Sequence, residues 1–107
     1  MRNTTAFFLF LLLVVGTGHA YTDLGGGVCT CDSCSDCSDA LNNNTNCTTE
    51  VRLTTDINNF GGTCINDPEN FSNKIFDCQG HLINGDNSGN DYGIYLSGKE
   101  NNTIRNC

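Results

Sequence analysis

Apolar side chains occur along this chain in short bursts set between Gly, Asn and Asp. Residues 51–57 (Val-Arg-Leu-Thr-Thr-Asp-Ile) alternate with a period of two, the pattern of a half-buried strand. Shorter bursts of the same kind follow at 63–65, 74–78, 81–83, 92–96 and 102–107. Six strands of three to seven residues with no helical stretch between them predict an all-β domain. Upstream, residues 21–50 carry few large apolar side chains and many turn formers. They are expected to be irregular, with a short helical turn near 38–41.

One segment breaks the pattern. Arg2, the ten apolar residues 6–15, and Gly18 and Ala20 at the −3 and −1 positions form a secretory signal peptide, with cleavage after Ala20. A spanning helix needs about 20 apolar residues. This run stops at Gly16-Thr17-Gly18, so no membrane span is expected after cleavage, and the protein is expected to be secreted or held at the cell surface.

Removing those residues changes the balance. The 87 that remain carry 4 basic and 12 acidic side chains, a net charge of −8, which excludes a nucleic-acid grip built on phosphate contacts. Only 16 are Leu, Ile, Val or Phe, too few for an ordinary core. All eight cysteines are retained, the density of a secreted disulfide scaffold. Cys29, Cys31, Cys34, Cys37, Cys47 and Cys64 are expected to pair among themselves, with connectivity open. Cys78 and Cys107 are expected to stack inside as small apolar groups. The Cys29-x-Cys31-x2-Cys34-x2-Cys37 spacing also suits a zinc or iron–sulfur module, which a secretory route disfavours.

An internal repeat narrows the all-β options. Ile75-Phe76-Asp77-Cys78 matches Ile104-Arg105-Asn106-Cys107 at an offset of 29 residues. Such a period signals a solenoid, and a parallel β-helix suits it; a β-sandwich is the other all-β solution. Fifteen Asn among the 87 residues favour stacked amide ladders.

The stretch from Phe76-Asp77-Cys78-Gln79-Gly80 through Tyr92-Gly93-Ile94-Tyr95-Leu96 to Asn102-Thr103-Ile104-Arg105-Asn106-Cys107 resembles the opening coils of secreted right-handed parallel β-helix proteins. It is similar to the pectin-lyase-like superfamily, and within it to the NosD-type, carbohydrate-binding-and-hydrolysis group. The resemblance covers residues 51–107. It implies two or three coils of a truncated β-helix, preceded by a Cys-rich variable segment over 21–50. It also implies a glycan or other surface component as partner. Copper handling does not carry over: the chain has two His, one of them within the signal, and Met1 is its only Met.

No residue stands out as catalytic, and no metal or cofactor is implied. Asp77, Asp86 and Asp91 are acid/base or calcium candidates as in polysaccharide-cleaving β-helices, but 86–91 reads as a turn. His81 lacks a visible partner. Tyr92 and Tyr95 offer a surface on which a sugar stacks. Asn43, Asn46, Asn70 and Asn101 head N-glycosylation sequons. The expected function is non-catalytic glycan binding. The alternatives are the N-terminal fragment of a polysaccharide lyase or hydrolase, with its active site in missing coils, and a small metal-binding module.

Overall fold

The computed structural model describes residues 21–107, so the signal peptide expected over 1–20 lies outside the described residues. The chain is mostly short strands with one helix. Strand β1 (Thr22–Gly25) turns through glycines at positive φ into β2 (Val28–Cys31), and the pair is antiparallel. Helix α1 (Cys34–Leu41) follows. Then come β3 (Glu50–Leu53), β4 (Ile57–Phe60), β5 (Ile65–Asn66), β6 (Ile75–Asp77), β7 (Ile83–Gly85), β8 (Ile94–Tyr95) and β9 (Thr103–Arg105).

Every later pairing is parallel, and from β3 onward each skips two strands. One sheet runs β1-β2-β3-β6-β9, a second pairs β4 with β7, and a third pairs β5 with β8. The three sheets are separate. Partners lie 25 to 29 residues apart from β3 onward, as in Glu50 with Ile75, Ile57 with Ile83, and Ile65 with Ile94.

Alternation sorts side chains between two faces. Cys29, Val51, Phe76 and Ile104 share one register position and form an inward stack, of which all but Ile104 are fully buried. Thr30, Arg52, Asp77 and Arg105 form the neighbouring outward stack. Leu53, Ile57, Ile65 and Phe71 complete a small core, with Ile83, Ile94 and Leu96 half-buried beside it.

Several expectations need correction. The strand expected over 51–57 is two strands with a corner between them. Thr54 donates its N–H and hydroxyl to the Cys31 carbonyl, and Asp56 turns to accept the Leu82 N–H. Residues 21–50 are not irregular: β2 is already a parallel partner of β3. The helical turn expected at 38–41 is an eight-residue helix. Ser33 caps it by accepting the Asp36 N–H at 3.1 Å, and Cys34, Cys37, Ala40 and Leu41 make its buried face.

The repeat is also offset by one residue from the sequence match. Phe76, not Ile75, is level with Ile104, because a slip of one residue would exchange the inward and outward faces.

Four disulfides staple the molecule, and among the described residues no cysteine is free. Cys31–Cys37 ties α1 to β2, Cys34–Cys64 ties α1 to the residue before β5, and Cys29–Cys47 ties β2 to the loop after α1. Contrary to the expectation for Cys78 and Cys107, these two are bonded to each other. Asn106 makes this possible. Its left-handed backbone (φ 58°) breaks the strand path just before Cys107, and its side chain donates to Asp77 Oδ1 at 3.0 Å.

Asn residues serve the same end at other corners. Asn73 and Asn101, 28 residues apart, both adopt positive φ, and Asn101 Nδ2 donates to Asn73 Oδ1 at 3.0 Å. Asn tolerates this backbone better than other side-chain-bearing residues, and stacked corners let the amides join.

Candidate functional site

The sheet of β5 and β8 carries the most distinctive exposed surface. Tyr92 and Tyr95 are 59% and 43% exposed, yet their rings stack on each other with centroids 5.6 Å apart and planes 29° from parallel. Main-chain bonds hold them in place. The Tyr92 carbonyl accepts the Cys64 N–H at 3.1 Å, and the Tyr95 carbonyl accepts the Asp67 N–H at 2.7 Å. The Tyr92 N–H donates to Thr63 Oγ1 at 3.2 Å. The aromatic pair is therefore fixed to strand-level backbone and does not depend on a free loop.

Beside Tyr92 lies a recess of about 90 Å³ floored by Phe60, Ile83 and Gly93 and edged by Asn84 and Asp91. A water molecule takes about 30 Å³ and ligand pockets run from about 300 Å³ upward, so this recess holds a substituent, not a whole sugar ring. It opens toward a shallow groove along Asn84, Asp86, Asn87, Ser88 and Asp91. Asp86 Oδ1 accepts the Ser88 N–H at 3.0 Å, the hydrogen bond of an Asx turn. The surface thus offers aromatic faces, amides and carboxylates side by side.

The remaining candidates are committed elsewhere. Asp77 accepts from Asn106 Nδ2, from the Gln79 N–H at 2.8 Å and from Arg105 Nε at 3.1 Å. These bonds, the Asn106 one first, hold its carboxyl below the usual range. It is fixed as a structural anion. Glu50 joins the same cluster through Arg52 Nε at 3.0 Å and Arg105 Nη2 at 3.4 Å.

His81 Nδ1 lies 3.2 Å from Asp56 Oδ1, a pairing invisible in the sequence. The Leu82 N–H, then His81, lowers the Asp56 pKa. Among the described residues no hydrogen bond reaches His81 Nε2. The thiolates a metal module would need are consumed as disulfides.

The four sequons differ. Asn43 is half-buried; its Oδ1 accepts the Thr45 and Asn46 N–H groups at 2.9 and 2.7 Å, and its Nδ2 donates to the Tyr21 hydroxyl at 2.8 Å. Asn70 Nδ2 donates to the Asn42 carbonyl at 3.0 Å while the Asn70 N–H donates to Asn42 Oδ1 at 2.9 Å. Asn46 and Asn101 are exposed.

Sequence reasoning missed Lys74. Its side chain is buried, and Nζ donates to the Leu41 and Asn43 carbonyls at 2.8 and 3.0 Å, closing the C-terminal end of α1. Burial lowers its pKa. Its position between Asn73 and Ile75 carries no signal without the fold. No helix among the described residues is long and apolar enough to cross a membrane. The chain matches no family model, no curated protein and no solved structure.

Proposed function

We propose that this chain forms coils of a secreted or cell-surface parallel β-helix of the pectin-lyase-like kind, and that it binds glycans without cleaving them. Support for the coil comes from four parallel pairings in three sheets, each joining strands 25 to 29 residues apart. Parallel crossovers are right-handed in the great majority of sheets, which favours a right-handed coil. Four disulfides suit an oxidising compartment.

The observation that carries the function is the exposed Tyr92–Tyr95 stack, whose Tyr92 lines a recess edged by Asn84 and Asp91. Aromatic faces bind the C–H faces of sugar rings, and the neighbouring Asn and Asp side chains bond their hydroxyls. Asp86 and Asp91, in a chain of net charge −8 after residue 20, repel uronate and sulfate groups, so the ligand class is a neutral polysaccharide.

The test is binding of the secreted chain to arrayed neutral and acidic polysaccharides, beside Tyr92→Ala/Tyr95→Ala. Losing two stacking faces is expected to weaken binding by about 5- to 150-fold, at about 0.5–1.5 kcal/mol per aromatic contact. Both side chains are exposed, so the melting temperature should hold. Binding no stronger than that of an unrelated acidic domain, or unchanged by the double substitution, sinks the reading.

A further inference from the structure

We propose that the folded protein carries an N-linked oligosaccharide on Asn46 and excludes one from Asn43 and Asn70, although all three head intact sequons. The inference shares the secretory route with the proposed function and is independent of the Tyr92–Tyr95 face.

The chemistry asks for one free amide nitrogen. An oligosaccharide moves from a polyprenyl diphosphate donor to Asn Nδ2. The bond from the anomeric carbon to the diphosphate oxygen breaks, a C–N bond forms, and the amide loses one proton as the polyprenyl diphosphate leaves. No electrons are exchanged. The product nitrogen keeps a single N–H and bears a bulky polar ring, so its surroundings must be open in the native fold.

Asn43 fails this requirement. Its amide is held at three points, with two backbone N–H groups on Oδ1 and the Tyr21 hydroxyl on Nδ2. A sugar at Nδ2 would displace the Tyr21 contact and force open the loop that Lys74 closes through the Asn43 carbonyl. Asn70 fails for a related reason. Its amide and backbone form a two-bond clasp with Asn42, joining the end of α1 to the segment before β6. A sugar on Nδ2 would crowd the Asn42 carbonyl and strain the clasp where Phe71, the next residue, is fully buried.

Asn46 meets the requirement. It is exposed, and among the described residues its side chain makes no hydrogen bond. The next residue, Cys47, is buried in the bond to Cys29, so the backbone beneath the attachment point is fixed while the side chain stands clear. Thr48, which completes the sequon, is exposed as well. Asn101 is intermediate, being exposed but donating to Asn73.

Transfer precedes folding, so the fold acts by selection. Chains modified at Asn43 or Asn70 lose native bonds and are depleted from the exported pool.

The experiment expresses the full chain, residues 1–107, in a eukaryotic secretory host and maps occupancy in the medium by peptide mass spectrometry after enzymatic deglycosylation in heavy-oxygen water. Asn46 is expected to be occupied at least about tenfold more than Asn43 or Asn70. Asn46→Gln and Thr48→Ala should each remove the same glycan mass without changing the melting temperature. Protein in the medium with Asn46 empty, or with Asn43 or Asn70 filled as often as Asn46, overturns the inference and leaves secretion standing. Unmodified protein retained inside the cell overturns the inference and the secretory reading together.

Discussion

Cys34–Cys64 and Cys78–Cys107 close loops of nearly equal length, with sequence separations of 30 and 29. Chain entropy therefore assigns each about 3.6 kcal/mol against the fully unfolded chain. Replacing either pair by serine should lower Tm by roughly 15–30 °C for a domain of this size. The bonds differ in what they enclose. The first ties α1 to the entry of β5 with both sulfurs buried, whereas the second encloses only the stretch from β7 to β9.

If that stretch opens by itself while residues 21–77 stay folded, the open form gains loop entropy only when Cys78–Cys107 is absent. Hydrogen exchange separates the two cases. The Thr103 N–H donates to the Lys74 carbonyl, and the Asp67 N–H to the Tyr95 carbonyl. Both bonds are lost in the local opening. In Cys78→Ser/Cys107→Ser these amides should exchange about 400-fold faster, the ratio for about 3.6 kcal/mol. In Cys34→Ser/Cys64→Ser they should keep their protection as long as global unfolding stays rarer than local opening. Equal acceleration in both variants would refute the reasoning and make residues 21–107 one cooperative unit.

Two further outcomes are expected. Burial lowers the Lys74 pKa, so the folded chain sheds that proton more readily than the unfolded one. Stability should therefore rise with pH from the lowered folded pKa up to the ordinary 10.5, a slope in urea midpoints that Lys74→Met abolishes. That substitution also strips the Leu41 and Asn43 carbonyls of a donor, at a cost of about 1–3 kcal/mol at neutral pH. At the acid end, Asp77 and Asp67 both have pKa values below the ordinary 3.8, Asp77 chiefly through Asn106 and Asp67 chiefly through Lys99. Their stabilisation is present above pH 3.8 and lost as pH falls through the folded values. Acid unfolding followed by circular dichroism should be shallower in Asp77→Asn; an unchanged acid slope would mean the Asp77 cluster contributes nothing.

From β3 onward the strands were legible because period-two alternation and Asn/Gly corners are local signals, whereas β1 and β2 lay in a stretch read as irregular. β6 and β9 lie where the sequence places them, and Tyr92 and Tyr95 could be singled out by type alone. Helix α1 was obscured because two of its four inward residues are cysteines, which read as crosslinks before they read as apolar. The one-residue register error has a similar origin. Matching like with like aligned Ile75 to Ile104, whereas the fold matches inward with inward and sets Phe76 there. Cys78–Cys107 was missed because the strand pattern gave no hint that Asn106 leaves the extended path. The Lys74 cap and the Asp56–His81 pair join residues 25 to 33 positions apart, and only the stacked layers bring them together.

The four disulfides are distributed unevenly along the chain, and this gives the molecule a direction. Three of them are complete once residue 64 has been made, and they enclose α1, β2 and β3. From β6 onward each strand then finds a finished parallel edge about 25 to 29 residues behind it. A chain emerging from its N-terminus can therefore set a crosslinked foundation first and lay each layer on the last, so assembly follows the order of synthesis.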